Sequence, residues 1–139
     1  MFENTNFGKT TGILQRGMDV AMLRRDVIAN NIANADVPNF KRSTVNFESS
    51  LKQALASEHE RPVLEMQRSD PQHLANWQVT DWRTVEPRRV LDYLTTSKNN
   101  GNNVDPEQEM MDSLTNQLEY TLMVQADSYE FNQVNSVLR

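Results

Sequence analysis

The segment Asp105-Pro106-Glu107-Gln108-Glu109 constrains this chain more than any other, because it opens a very long helix. Asp105 is an N-cap residue, Pro106 suits the first helical position, and Gln108 sits where a capping box closes. Glu107 and Glu109 favour the positive end of the helix dipole. The pattern continues to about Val137, roughly 32 residues and about 48 Å at the standard rise. Its early apolar row is Met111, Leu114, Leu118 and Leu122. A later row, Tyr120, Val124, Asp127, Phe131, Val134 and Leu138, keeps heptad-like spacing with one acid in the seam. An isolated helix carrying this much apolar surface is marginal in water. It requires a partner helix.

A candidate partner lies at the other end. Residues from about Thr11 to Ala33 show two apolar rows at helical spacing, one of Leu14, Met18, Ala21, Met22, Ile28 and Ile32, the other of Ile13, Val20, Leu23 and Val27. Gly17 costs roughly 1 kcal/mol against Ala within a helix, and it permits a neighbouring helix to come close. Pro38 disfavours helix at Val37, and Asn34 suits a left-handed cap, so the helix is expected to end near Asn34. Arg16, Arg24 and Arg25 are candidate partners for Asp127 across the helix pair.

The middle is less regular. Asn46 is expected to cap a short helix from about Phe47 to Ser57, with Phe47, Leu51, Ala54 and Leu55 on its apolar face. Val63–Met66 and Val90–Leu94 read as short strands, and Pro62, Pro71 and Pro87 interrupt helical continuity. Residues 98–103 read as a polar, flexible linker. The expected fold is mainly α: long N- and C-terminal helices packed as a coiled-coil-like pair, a short middle helix, and an irregular or short-stranded central segment. We expect a single domain over 1–139, made of 1–42 (helix and turn), 43–104 (centre and linker) and 105–139 (final helix).

Composition narrows the function. With 139 residues and 37% hydrophobic content, the chain builds only a small core and leaves apolar surface for another subunit. The net charge of −5 is divided unevenly. Residues 1–42 are net basic and residues 105–139 strongly acidic, which favours pairing of the two ends within or between chains. An acidic total with scattered basic pairs argues against nucleic acid. Cysteine is absent, which excludes disulfides and thiolate metal sites. The N-terminus lacks the features of a cleavable signal peptide, and no apolar run approaches a membrane span.

No catalytic, cofactor-binding, metal or small-molecule site is expected. His59 and His73 have no ligand partners at metal-site spacing. The four glycines form no phosphate loop, and the asparagines at 99–103 lack the acids of a calcium loop. Glu107, Glu109 and Asp112 are accounted for by the helix dipole and by solvation.

One segment is more particular than an ordinary helix end: Asn30-Asn31-Ile32-Ala33-Asn34, followed by Pro38-Asn39-Phe40 and the basic pair Lys41-Arg42. It resembles the N-terminal signature of the axial family of flagellar rod, hook and hook-associated proteins. Gly commonly takes the place of Asn39 in that family, and Asn is the next most tolerant residue of left-handed geometry. Gly101-Asn102-Asn103-Val104-Asp105, with Asn116-Gln117-Leu118-Glu119-Tyr120 further on, is similar to the short proximal rod branch of the same family. The resemblance implies a structural subunit of the flagellar basal body, with terminal helices that pack in the rod. It implies partners too: further copies of the chain, other rod proteins, the membrane-ring/rod adaptor and the export apparatus. It places the protein in the periplasmic rod, exported without a cleaved signal.

Overall fold

A computed structural model describes residues 5–59, 69–70, 72–73, 79–95 and 99–138. The first helix, α1 (Asn6–Ala33), begins five residues earlier than the apolar rows indicate. The Thr5 hydroxyl accepts from the Gly8 N–H at 3.2 Å, and this cap carries the helix through Gly8 and Gly12. A four-residue strand β1 (Ser43–Asn46) follows, then α2 (Glu48–His59), a single 3-10 turn (Trp82–Thr84), a second strand β2 (Arg88–Leu91) and the last helix α3 (Pro106–Val137). The bounds of α3 agree with the sequence reading. Asp105 caps it, its carboxylate accepting from the Glu107 N–H at 3.0 Å.

The chain forms two compact units. One contains residues 1–45 and 89–139, the other residues 46–88. The first and last parts expected from the sequence thus share a unit, and the central part is divided between the two. In the first unit α1 and α3 pack together with opposite directions: Phe7 meets Phe131, Gly17 meets Met123, and Asn31 meets Glu109. Its buried apolar residues are few, among them Val20, Ala21, Val27, Ile28, Ala35, Val45 and Val104. In the second unit Phe47, Ala54, Trp82 and Val85 are buried, with α2 packed on the 3-10 turn and Leu51 and Leu55 half-buried.

β1 and β2 form a two-stranded sheet. The Asp92 N–H donates to the Arg42 carbonyl at 2.9 Å, which sets the strands antiparallel. β2 stops at Leu91 rather than Leu94 because the Asp92 carboxylate turns the chain, accepting from the Leu94 and Thr95 N–H groups and from the Thr95 hydroxyl. β1 went unread in the sequence; the expected strand at 63–66 lies outside the described residues.

Four local expectations are corrected. Asn34 is not left-handed (φ −106°): its N–H bonds back to Asn30 and Asn31, and its amide donates to the Asn30 carbonyl at 2.7 Å. Asn46 accepts from the Ser49 hydroxyl and caps no backbone N–H, so α2 starts at Glu48. Gln108 reaches forward to Asp112 at 2.9 Å instead of back to the cap. Over its described residues 99–103 the supposed flexible linker is a turn that ends packed, with Asn102 and Asn103 buried. Its asparagines find buried partners, and this decides order over looseness.

Candidate functional site

The two segments singled out in the sequence, 30–42 and 101–105, meet and lock the end of α1 to the start of α3. Asn102, fully buried, is the centre of the lock. Its amide nitrogen donates to the carbonyls of Asn34 (2.9 Å), Ala35 (3.0 Å) and Val37 (2.8 Å), groups freed where α1 ends. Its amide oxygen accepts from the Val104 N–H at 2.7 Å. Beside it, the Asn39 N–H donates to the Asn100 carbonyl and the Lys41 ammonium to the Gly101 carbonyl. Asn39 is the left-handed residue of the signature turn (φ 58°), as its tolerance of that geometry suggests. Gly101 has φ 79°, a left-handed conformation that glycine takes without strain, and a Cβ there would also push the Asn39 amide oxygen aside from 2.6 Å.

Two more asparagines act as substitute strands. Asn31, 1% exposed, accepts from the Ser43 N–H at 3.1 Å and donates to the Ser43 carbonyl at 2.9 Å, pairing with the outer edge of β1. Asn103 fills a missing rung at the end of the sheet. Its amide oxygen accepts from the Arg42 N–H and its nitrogen donates to the Asp92 carbonyl at 2.8 Å. A third, Asn116, ties α3 to the Ala21 carbonyl at 2.8 Å.

Charge completes the joint. Glu109 is 1% exposed, and its two oxygens take the Arg42 guanidinium and the Asn31 amide. Arg42 also binds Asp112 at 2.7 Å. Glu109 stands in the first turn of α3 as expected but is buried rather than solvated, and both acids hold Arg42. Further along, Arg24 pairs with Glu119 at 3.6 Å rather than with Asp127, whose Oδ1 is buried and accepts no hydrogen bond. The basic beginning and acidic end of the chain therefore do meet, within one chain.

The remaining sequence-picked residues divide into two sets. Asn30 receives Arg89 on its amide oxygen at 3.4 Å, Phe40 is half-buried, and Ile32, Ala33 and Pro38 are exposed. Of the helix residues, Ala21 and Ile28 are buried and Leu14 and Met18 half-buried. Phe131 stacks edge-to-face on Phe7, ring centroids 5.6 Å apart, so this part of the later row meets α1 of its own chain. Tyr120, Val124, Val134 and Leu138 remain exposed, as do Met111, Leu114 and Leu118.

The acids of α3 beyond Glu107 lie on or beside its α1 side: Glu109 and Asp112 at Arg42, Glu119 at Arg24, with Asp127 and Glu130 half-buried. Away from α1 runs an uncharged apolar row of Met110, Met111, Leu114, Leu118, Leu122 and Tyr129, each more than half exposed. Over residues 109–122 the helix shows its more polar side to its partner and its apolar side to solvent, whereas Met123 and Phe131 beyond face α1. Arg42, Asn102, Asn103 and Asn116 lie in segments the sequence singled out, but their part in the joint, and that of Glu109, escaped sequence reasoning; the family resemblance and the opposite charge of the two ends were the signals that pointed to them. Among the described residues no group of three His, Cys, Asp or Glu could hold a metal ion, and no helix is long and apolar enough to cross a membrane.

Residues 13–41, from α1 through the signature turn, match the family described as "Flagella basal body rod protein". The chain is 40% identical over 134 residues to the flagellar basal body rod protein FlgB of Borreliella burgdorferi, covering 96% of this chain and 98% of the relative. It is 33% identical to FlgB of Bacillus subtilis over 134 residues, 95% of each chain. With FlgB of Escherichia coli K12 the identity is 27% over 126 residues, 90% of this chain and 89% of the other.

Proposed function

The chain belongs to the FlgB family of flagellar basal-body rod proteins, and on that premise we propose that it self-assembles into the proximal rod through the outward face of α3. Its function as a structural subunit of the basal-body rod, built with other rod components, follows from the family. The finer reading is that the asparagine joint fixes α1 against α3, so that each subunit presents α3 at one set angle to its neighbours. Further copies of the chain, other rod proteins, the membrane-ring adaptor and the export apparatus are the partners in this reading. The rod stands in the periplasm, the subunit arrives by flagellar export without a cleaved signal, and no catalysis is involved.

One observation carries the proposal: the row Met110, Met111, Leu114, Leu118, Leu122 and Tyr129 is exposed and uncharged over five helical turns. Burying the exposed half of each such side chain on a neighbour contributes about 1 kcal/mol or more. Leu118→Glu tests it. The joint between α1 and α3 is untouched, so the subunit folds with unchanged helix content by circular dichroism. A charge without a partner in an apolar interface costs several kcal/mol, about enough to prevent assembly. We expect no rods in purified basal bodies and no swimming. Normal rods built from Leu118→Glu subunits would remove the outward face from the assembly.

A further inference from the structure

The two edges of the small sheet are treated differently. The outer edge of β1 is closed at Ser43, where the Asn31 amide takes both the N–H and the carbonyl, and beyond it Val45 is buried. On β2, alternation from the Asp92–Arg42 pair turns the N–H and carbonyl groups of Arg89 and Leu91 outward. Among the described residues nothing bonds to them. Every residue of β2 is exposed, Val90 at 46%, and the chain beyond carries Tyr93 at 69% and Leu94 at 97%. An open edge beside apolar side chains is a template for another strand.

The charges on β2 select which strand. Arg88 and Arg89 repel basic segments and parallel copies of themselves. In one register, a second β2 running antiparallel about Val90 satisfies every group. Arg89 and Leu91 then exchange backbone hydrogen bonds with Leu91 and Arg89 of the other copy, four bonds in all by symmetry. Val90 faces Val90 across the two-fold axis. Arg88 faces Asp92 of the other copy, twice over. Asp92 is anionic and fixed in place, because the Thr95 hydroxyl and the Leu94 N–H hold its carboxylate. We propose that two copies of the chain pair through β2 in this register. The contact is far smaller than the roughly 1,200–2,000 Å² of a stable interface, so the dimer is weak and reversible. A two-fold pair closes on itself and cannot extend into a rod. It is therefore a state of the unassembled subunit, one that covers the open edge until the subunit is incorporated.

The chain has no cysteine, so one introduced thiol reports the geometry. Val90→Cys places two thiols opposite each other in a non-hydrogen-bonded pair, about 4.5 Å between Cα atoms and within disulfide reach. Arg89→Cys and Leu91→Cys place theirs diagonally. Under mild oxidation of the full chain, Val90→Cys should cross-link about tenfold faster than either, at a rate that rises with protein concentration. Adding Arg88→Asp, an exposed site, sets like charges face to face and should slow the reaction by roughly tenfold. Adding Leu118→Glu should leave it unchanged, which separates this contact from rod assembly. Equal rates at 89, 90 and 91, or cross-links that form only when another rod protein is present, would overturn the pairing.

Discussion

Three asparagine amides, those of Asn31, Asn102 and Asn103, replace backbone that the fold does not supply, and a fourth, Asn116, ties α3 to the Ala21 carbonyl within α1. Each offers a donor and an acceptor on one short, stiff side chain, so it can fill a gap where a helix or strand ends. Asn102 is the most demanding case, since one amide nitrogen serves three carbonyls. Asn102→Asp keeps the shape but sets a carboxylate oxygen against those carbonyls. We expect a loss of about 3 kcal/mol or more in urea unfolding of the isolated subunit. A loss under about 0.5 kcal/mol, the size of an ordinary surface change, would mean the joint does not depend on this amide. Asp92 supplies a pH test. The Thr95 hydroxyl, first, and the Leu94 N–H hold its carboxyl below the ordinary value of 3.8. A carboxyl lowered in the folded state stabilises above its unfolded value and loses that contribution as pH falls through the folded one. Stability should therefore decline below about pH 4 in part through Asp92. In Asp92→Asn that part of the decline should be missing from unfolding curves taken between about pH 5 and about pH 2.

The helix pair is shaped by small residues and charges more than by a broad apolar seam. A Cβ on Gly17 would come within 2.7 Å of the Met123 sulfur, so the glycine gives up helix propensity to let α3 approach. Further out, Phe131 and Phe7 form one aromatic contact, with Phe131 still 46% exposed. A fully buried Phe truncated to Ala loses about 3–5 kcal/mol. For Phe131→Ala the partial exposure reduces this to about 1–2 kcal/mol, including the edge-to-face contact. Thermal unfolding of the monomer is the measurement. No change in Tm would show that the two rings do not hold the helices together. The heptad-like row thus serves α1 of the same chain at Phe131, while the earlier row of α3 is the one left without a partner.

Across the whole chain, order should be graded. Buried hydrogen bonds and ion pairs gather where α1 ends and α3 begins, whereas α3 after Met123 has few buried residues. Local opening follows such differences in contact. In a verified monomer, amide exchange should be slow across residues 109–118 and at least about tenfold faster across 128–137. Uniform protection along α3 would show that the far end is stable without neighbours. Assembly on the outward face should then slow exchange at the far end more than at the joint, which is already closed.

Periodicity and caps gave both long helices, the short one and the start of α3 at Asp105, because these depend on neighbours within a few residues. The axial-family signature at 30–40 and the charge contrast between the ends were also local readings, and they led to the right part of the molecule. The beginning of α1 was missed because the Thr5 cap lies outside the apolar rows. What Asn102, Asn103 and Glu109 do could not be read in sequence: polar residues in a short run look the same whether they face water or three carbonyls 68, 67 and 65 residues away. Likewise, spacing alone placed both apolar rows of α3 on a helix but could not say which row would face α1. The tertiary structure decided that, because Arg42 and Arg24 hold Glu109, Asp112 and Glu119 on the α1 side and so leave Met110, Met111, Leu114, Leu118 and Leu122 facing out.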